Sequence, residues 1–247
     1  MDLPSLNALL KFDSELVNKI GLQRFDNFLE KLIKANPKCS TCGNAGDVLV
    51  GKLDDVLDDL HKIATQRAVK PDGSFVQGFD AFMAEAGEQA SKAKGAALIL
   101  RKISNNWDEI SEGGSYTIKK FEGNIPDIET NHRLDVQLSK FENGQEIEKS
   151  LEMKNWSEAR SISGSTYDQF LANIASGKRF DYYFSDGLQS GMKASFQNLF
   201  KDASKAQVLY NANPSFFNNY GFQSAGQLSG AANANQLINN PLLNFVK

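Results

Sequence analysis

Residues 133–156 read RLDVQLSKFENGQEIEKSLEMKNW, and this stretch decides the fold. Apolar and polar residues alternate on both sides of Asn143-Gly144, the dipeptide most typical of a two-residue hairpin turn. A two-residue loop fixes the register and puts Asp135 directly opposite Glu152 in a non-hydrogen-bonded pair. Their Cβ atoms are then about 4.5–5.5 Å apart. The sequence therefore predicts a β-hairpin with two carboxylates facing each other.

Lys154 lies two residues beyond Glu152, so both side chains point to the same side of an extended strand. Two opposed carboxylates destabilise a hairpin unless a cation lies between them. A polar, half-exposed hairpin and half of a metal-dependent catalytic site are both compatible with this pattern. Leu138 opposite Lys149 fits the register badly, which leaves a bulge or slip near the turn open.

The elements around the hairpin predict an α/β fold in which a central mixed sheet is flanked by helices. A long helix is expected over about 79–110, followed by a first strand over 115–122. After the hairpin we expect a helix over 167–176, a strand over 179–185, a helix over 191–203 and a strand over 206–211. The tail, residues 230–245, reads as a short helix or an extended arm.

Residues 1–75 read as an α-helical N-terminal region, and residues 76–247 as the domain that holds the hairpin. The apolar fraction is 41% and the net charge −3, both ordinary for a globular protein. No apolar run approaches the roughly 20 residues of a membrane span. The N-terminus is not a secretory signal, so any export signal is expected elsewhere, on a larger precursor.

The two cysteines, Cys39 and Cys42, are separated by two residues. One such pair supplies only half of a four-ligand zinc site, and neither histidine has ligand spacing to it. Inert thiols or a local disulfide are therefore favoured over zinc.

The opposed carboxylates suggest a chemistry. Asp135, Glu152 and the carbonyl of Met153 would offer hard oxygen ligands suited to Mg²⁺. Lys154, on the same face, can orient or help to deprotonate a water and offset charge that develops on a phosphate. Such a set performs phosphodiester hydrolysis.

An acid in one strand, then acid-x-Lys in the next strand, then a helix, resembles the PD-(D/E)xK nuclease superfamily with its restriction-endonuclease-like fold. The resemblance covers about residues 91–211. It implies that Asp135 and Glu152 bind the metal and that Lys154 is catalytic. The implied cofactor is Mg²⁺, with Mn²⁺ or Zn²⁺ as substitutes.

The family often has a further acidic ligand in the helix before the first strand. The candidates here are Glu109 and Glu112 at the end of the predicted helix and Glu88 near its start. Pro126-Asp127 spells the literal PD of the motif, but it lies in a loop-like segment, so Asp135 is preferred. Gln169, in the helix after the motif, is either a substrate-side polar residue or an ordinary helix-surface glutamine.

More narrowly, KAKGAALILRKI followed by LEMKNWS is similar to C-terminal nuclease domains of bacterial polymorphic toxins, including contact-dependent growth inhibition systems. That resemblance implies cleavage of DNA or tRNA, a cognate immunity protein, and secretion as part of a larger effector that acts in the target-cell cytoplasm. Residues 1–75 would then serve translocation or act as a linker. The alternatives are a non-catalytic protein-binding module and a repair or restriction-type DNA endonuclease.

Overall fold

The computed structural model describes residues 3–35, 52–124 and 133–247 of the chain. Its centre is a four-stranded mixed sheet in the order β1-β2-β3-β4, which helices flank. The strands are β1 (Thr117–Asn124), β2 (Arg133–Glu142), β3 (Gln145–Lys154) and β4 (Arg179–Phe184). The predicted α/β class with a mixed central sheet is thereby confirmed.

Within the described residues there are twelve α-helices and one 3₁₀ helix. In chain order they are α1 (Leu3–Leu9), α2 (Ser14–Ile20), α3 (Leu22–Ala35), α4 (Leu53–Gln66), α5 (Phe79–Ala86), α6 (Ala90–Asn105), α7 (Trp107–Ile110), α8 (Gly164–Ser176), α9 (Gln189–Lys201), α10 (Ala203–Ala212), α11 (Pro214–Asn218), α12 (Ala225–Asn233) and the 3₁₀ helix (Pro241–Phe245). None of the helices in these ranges has the length and apolar character that crossing a membrane requires.

The chain divides into two compact units. The first unit comprises Met1–Gly123, Asp135–Glu148 and Met153–Ser157, and the second comprises Asn124–Leu134, Lys149–Glu152 and Glu158–Lys247. In the first unit, α3 and α4 both pack against α6. The sequence boundary at residue 75 falls inside this unit, and a separate domain before it stays a prediction.

The hairpin turn is confirmed. Asn143 and Gly144 have φ angles of 52° and 78°, so both residues are in the left-handed region that a two-residue type I′ turn requires. β2 ends at Glu142 and β3 begins at Gln145, on either side of this turn. Val136 and Leu138 of β2 are fully buried.

The predicted long helix over 79–110 is instead three helices, α5 to α7. Gly87 ends α5, and its backbone approaches α3 so closely that an added Cβ would lie 2.8 Å from Cβ of Asn27. Gln89 then adopts an extended conformation before α6 begins. The break follows from helix packing, which apolar periodicity does not show.

Gly78 fixes the start of α5 against β1. It has a φ of 81°, and a Cβ at this position would lie only 2.1 Å from the carbonyl oxygen of Phe121. The N–H of Phe121 donates to the carbonyl of Gln77 at 2.9 Å. Ring contacts of Phe79 and Phe82 with Phe121, at 5.3 and 5.0 Å between centroids, complete the junction. This packing sets the position of the rest of α5.

An aromatic cluster forms the core of the second unit. Phe170 of α8 contacts Phe196 of α9 and Phe245 of the 3₁₀ helix, with ring centroids 4.9 and 5.4 Å apart. The ring centroids of Tyr182 of β4 and Phe245 are 6.1 Å apart. The end of the chain is therefore held by packing on α8, α9 and β4.

The strand predicted over 206–211 is wrong, because these residues belong to α10. Asp202 caps the helix, since its carboxylate accepts hydrogen bonds from the N–H groups of Ser204 and Lys205. Ala206 and Leu209, three residues apart, are fully buried. The tail predicted as a short helix or extended arm forms α12 and the 3₁₀ helix.

Candidate active site

Asp135 lines a cavity of about 140 Å³ in the first unit. The same cavity is also lined by Glu85 of α5, Lys92 of α6 and Glu122 of β1. The backbone N–H of Met153 donates to Oδ2 of Asp135 at 2.5 Å. Met153 follows the residue that the turn register places opposite Asp135, so β2 and β3 meet here as the hairpin predicts.

Burial raises the pKa of Asp135, because the cavity disfavours the charged form of its carboxyl group. The positive charge of Lys154 and the hydrogen bond from Met153 both act in the opposite direction, whereas the negative charge of Glu85 raises the pKa further. Lys154 and Glu85 are thus electrostatically coupled to Asp135 within one unit.

Glu85 is the acidic residue that sequence reasoning missed. It pairs with Lys92, whose Nζ is 3.0 Å from Oε1 of Glu85 and 2.7 Å from Oε2 of Glu88. Hydrogen bonds to Glu88 and Glu85 raise the pKa of Lys92. Glu85 follows Phe82 by three residues, so it borders the buried face of α5, a signal that becomes visible only once the helix is known to end at Gly87.

The helical acids that the sequence put forward lie elsewhere. Glu109 is exposed on α7, Glu112 is exposed in the turn that follows it, and neither lines the cavity at Asp135. Glu88 is exposed and bound to Lys92. Asp127 lies outside the described residues, as do Cys39 and Cys42.

Glu122 lines the same cavity from an unusual backbone conformation. Its φ of 49° is in the left-handed region, which few residues other than glycine adopt. Such a conformation costs about 1–3 kcal/mol and persists only where the surroundings impose it. Here the preceding residue, Phe121, is held to Gln77. The strain therefore lies directly beside the cavity that contains Asp135.

Lys154 is the last residue of β3, and the chain directly after it is anchored to α6. Asn155 is buried, and its side-chain Nδ2 donates to the carbonyl of Lys94 at 3.1 Å. The N–H of Trp156 donates to the carbonyl of Lys154 at 3.0 Å. These bonds fix the backbone from which the Lys154 side chain extends.

In the second unit, Glu152 is fully buried and Gln169 holds it. The Nε2 group of Gln169 donates to Oε2 of Glu152 at 2.7 Å and to the carbonyl of Arg133 at 3.1 Å. Gln169 itself is buried on α8, so its interpretation as an ordinary helix-surface glutamine is wrong. A buried carboxylate needs such donors, and the amide fixes the orientation of Glu152.

The donor chemistry of the cavity at Asp135 fits a hard cation. Carboxylate oxygens are the ligands that Mg²⁺ prefers, and a cation would stabilise the ionised form that burial and Glu85 disfavour at Asp135. Across residues 3–35, 52–124 and 133–247, however, no three acidic, histidine or cysteine side chains converge as a ready ligand set. The side chains suit a metal in kind but are not arranged around one.

Substitution of Lys154 and substitution of Glu85 are expected to shift the pKa of Asp135 in opposite directions. Lys154→Met is expected to raise the pKa of Asp135, and Glu85→Gln to lower it by a smaller amount, because Lys154 exerts the larger influence. The carboxyl carbon of Asp135, followed by NMR across a pH titration and assigned with Asp135→Asn, measures both shifts. Glu88→Gln, at the more exposed partner of Lys92, is the matched control and should change little. Shifts of the same sign in the two variants would contradict the coupling.

Comparison with known proteins finds no family model, no curated protein and no solved structure that matches the chain.

Proposed function

We propose that this protein is a metal-dependent nuclease that hydrolyses phosphodiester bonds. The observation that carries the proposal is the partly buried Asp135 carboxylate, which lines a cavity, is fixed by Met153 and is coupled to the charge of Lys154. An acid whose pKa is raised by burial, with a charged partner and in a cavity, is a candidate functional group.

In this proposal each side chain has a separate role. Asp135 would be a metal ligand, and the acid-x-Lys motif assigns the same role to Glu152. The chemistry supplied by Mg²⁺ at these carboxylates would be polarisation of the phosphate and a lower pKa of a coordinated water. Lys154 orients the attacking water and offsets negative charge on the phosphate. Gln169 is a positioning residue, since its bond to Glu152 fixes the carboxylate.

The finer assignment rests on sequence motif and element order. The elements follow one another as in a restriction-endonuclease-like core, with helix α6 before β1 to β3 and then α8 and β4. The acid-x-Lys sequence lies in β3. We further propose that the chain is the nuclease part of a secreted polymorphic toxin, with DNA or tRNA as substrate and an immunity protein as partner.

Expression in bacterial cells tests the toxin proposal. We expect induction of the wild-type protein to lower colony counts and to degrade plasmid DNA or tRNA. Lys154→Met should restore viability, because loss of a general acid–base group slows a reaction by roughly 10²–10⁴. The control Lys193→Met on α9 should remain toxic. Equal colony counts for all three proteins would contradict a toxin. Cleavage by the purified protein without toxicity would favour a repair or restriction-type nuclease.

A further inference from the structure

We propose that the first unit binds a nucleotide in a second cavity, one that shares no lining residue with the cavity at Asp135. This Arg67 cavity has a volume of about 660 Å³. Its walls come from the end of α4, the turn after it, α7 and the start of β1. Ligand-binding pockets typically enclose about 300–1,000 Å³, so the volume suits a mononucleotide and is too small for a duplex.

The lining of the Arg67 cavity favours an anion. Of its eleven residues, Arg67 and Lys70 are basic and none is acidic, although the chain as a whole carries a net charge of −3. The Nε atom of Arg67 is buried and has no hydrogen-bond partner among the residues that the structure describes. A buried donor without a partner costs free energy, which an acceptor oxygen from a phosphate would recover.

An aromatic side chain beside Arg67 favours a planar group next to the anion. The guanidinium carbon of Arg67 lies 4.8 Å from the ring centroid of Trp107. Trp107 is partly exposed and lines the cavity. Nucleobases stack on aromatic rings and on arginine planes, and this stacking tolerates any base.

Polar groups complete the recognition of a base. Gln66 and Thr117, both exposed, line the same cavity. An amide and a hydroxyl can each donate and accept hydrogen bonds at a base edge. The cavity thus combines hydrogen-bond donors for a phosphate, an aromatic ring for stacking and polar groups for a base edge. A nucleotide is the ligand class that uses all three. It is either a free nucleotide or an unpaired nucleotide of a nucleic-acid strand.

The chain offers a direct optical test. It contains two tryptophans, so Trp156→Phe leaves Trp107 as the single tryptophan reporter. This variant, titrated with AMP and separately with a single-stranded oligonucleotide in chelator, is expected to show quenching of Trp107 fluorescence. Chelator prevents metal-dependent cleavage, so the outcome is independent of the proposed nuclease activity. Free tryptophan titrated in parallel corrects for absorption by the ligand.

Substitutions at the cavity sharpen the test. Arg67→Gln in the Trp156→Phe background should weaken binding about tenfold or more, as expected for the loss of a charged hydrogen bond. The exposed Lys70→Ala should weaken it less and, for the oligonucleotide, reduce the slope of log affinity against log salt by about 0.7. Arg24→Gln, an exposed arginine of α3 paired with Asp80, controls for the loss of one positive charge and should leave the affinity unchanged.

The two titrations distinguish the source of the nucleotide. Quenching by AMP and by the oligonucleotide supports a site for nucleotides from either source, and quenching by the oligonucleotide alone supports a strand-binding subsite. An absence of quenching with both ligands would overturn the proposal. Binding that Arg67→Gln and Lys70→Ala leave unchanged would overturn it as well, because the ligand would then be held elsewhere.

Discussion

Asp135→Asn is expected to slow cleavage by about 10²–10⁴, the range for loss of a positioned charged group, and at the same time to make the protein more stable at neutral pH. Asparagine has the same shape, and its carbonyl oxygen can still accept the hydrogen bond from Met153. It lacks the negative charge that burial and Glu85 disfavour. A gain in stability with a loss of activity is typical of a strained functional group.

The sign of the pH dependence follows from the raised pKa of Asp135. An aspartate whose folded-state pKa lies above its unfolded value of about 3.9 destabilises the fold once it ionises. This loss of unfolding free energy is absent below the unfolded-state pKa, and it grows with pH until the pH passes the folded-state pKa. The stability advantage of Asp135→Asn should therefore be nil at low pH and full at pH 7.

We expect an advantage within the roughly 0.5–2 kcal/mol of single stabilising substitutions, at the low end because Asp135 is only partly buried. Urea denaturation of both proteins in chelator, at acidic and neutral pH, measures it. Asp168→Asn, at an exposed aspartate of α8, is the control. A variant less stable than the wild type at pH 7, or one that still cleaves, would contradict the account.

Lys149→Met is expected to lower the free energy of unfolding by about 3–5 kcal/mol, the range for breaking a buried ion pair. Lys149 of β3 is only 2% exposed, and its Nζ is 3.5 Å from Oδ2 of Asp181 on β4. Burial raises the pKa of Asp181, and Lys149 is the strongest of the cations that oppose this. Methionine fills much of the same volume but leaves the carboxylate without this partner.

A double variant separates charge from packing. Lys149→Met with Asp181→Leu removes both charges, and we expect it to recover more than half of the loss, since buried pairs are often replaceable by apolar residues. Urea denaturation followed by circular dichroism gives both values. A single variant within about 1 kcal/mol of the wild type would show that the pair contributes no more than a surface ion pair.

The hairpin was predictable because its signals are local. Asn143-Gly144 supplies the two left-handed residues that the turn needs, and alternation supplies the strands. Lys149 was the residue that fitted the register badly, opposite Leu138. Its partner, Asp181, belongs to β4 and lies far along the chain, so hairpin pairing alone could not explain a buried lysine.

The parts of the site that the sequence missed depend on tertiary contacts. Glu85 was not predicted because the apolar periodicity indicates one continuous helix through α5 and α6. The close approach of Gly87 to Asn27 separates the two helices. The sequence left two interpretations of Gln169 open, because helix position alone does not reveal the buried carboxylate that it contacts. The α10 segment was read as a strand from its apolar residues, and the cap at Asp202 decided against it.

We infer that the acid-x-Lys strand β3 serves metal-dependent hydrolysis. The most direct measurement compares wild-type protein with Glu152→Gln on plasmid DNA and on total tRNA, each with Mg²⁺ and with chelator. We expect the wild type to cleave one of the polymers with Mg²⁺ but not with chelator, and the variant to be slower by about a hundredfold or more. Equal rates for both proteins, or no cleavage with any divalent ion, would contradict it and favour a non-catalytic protein-binding module.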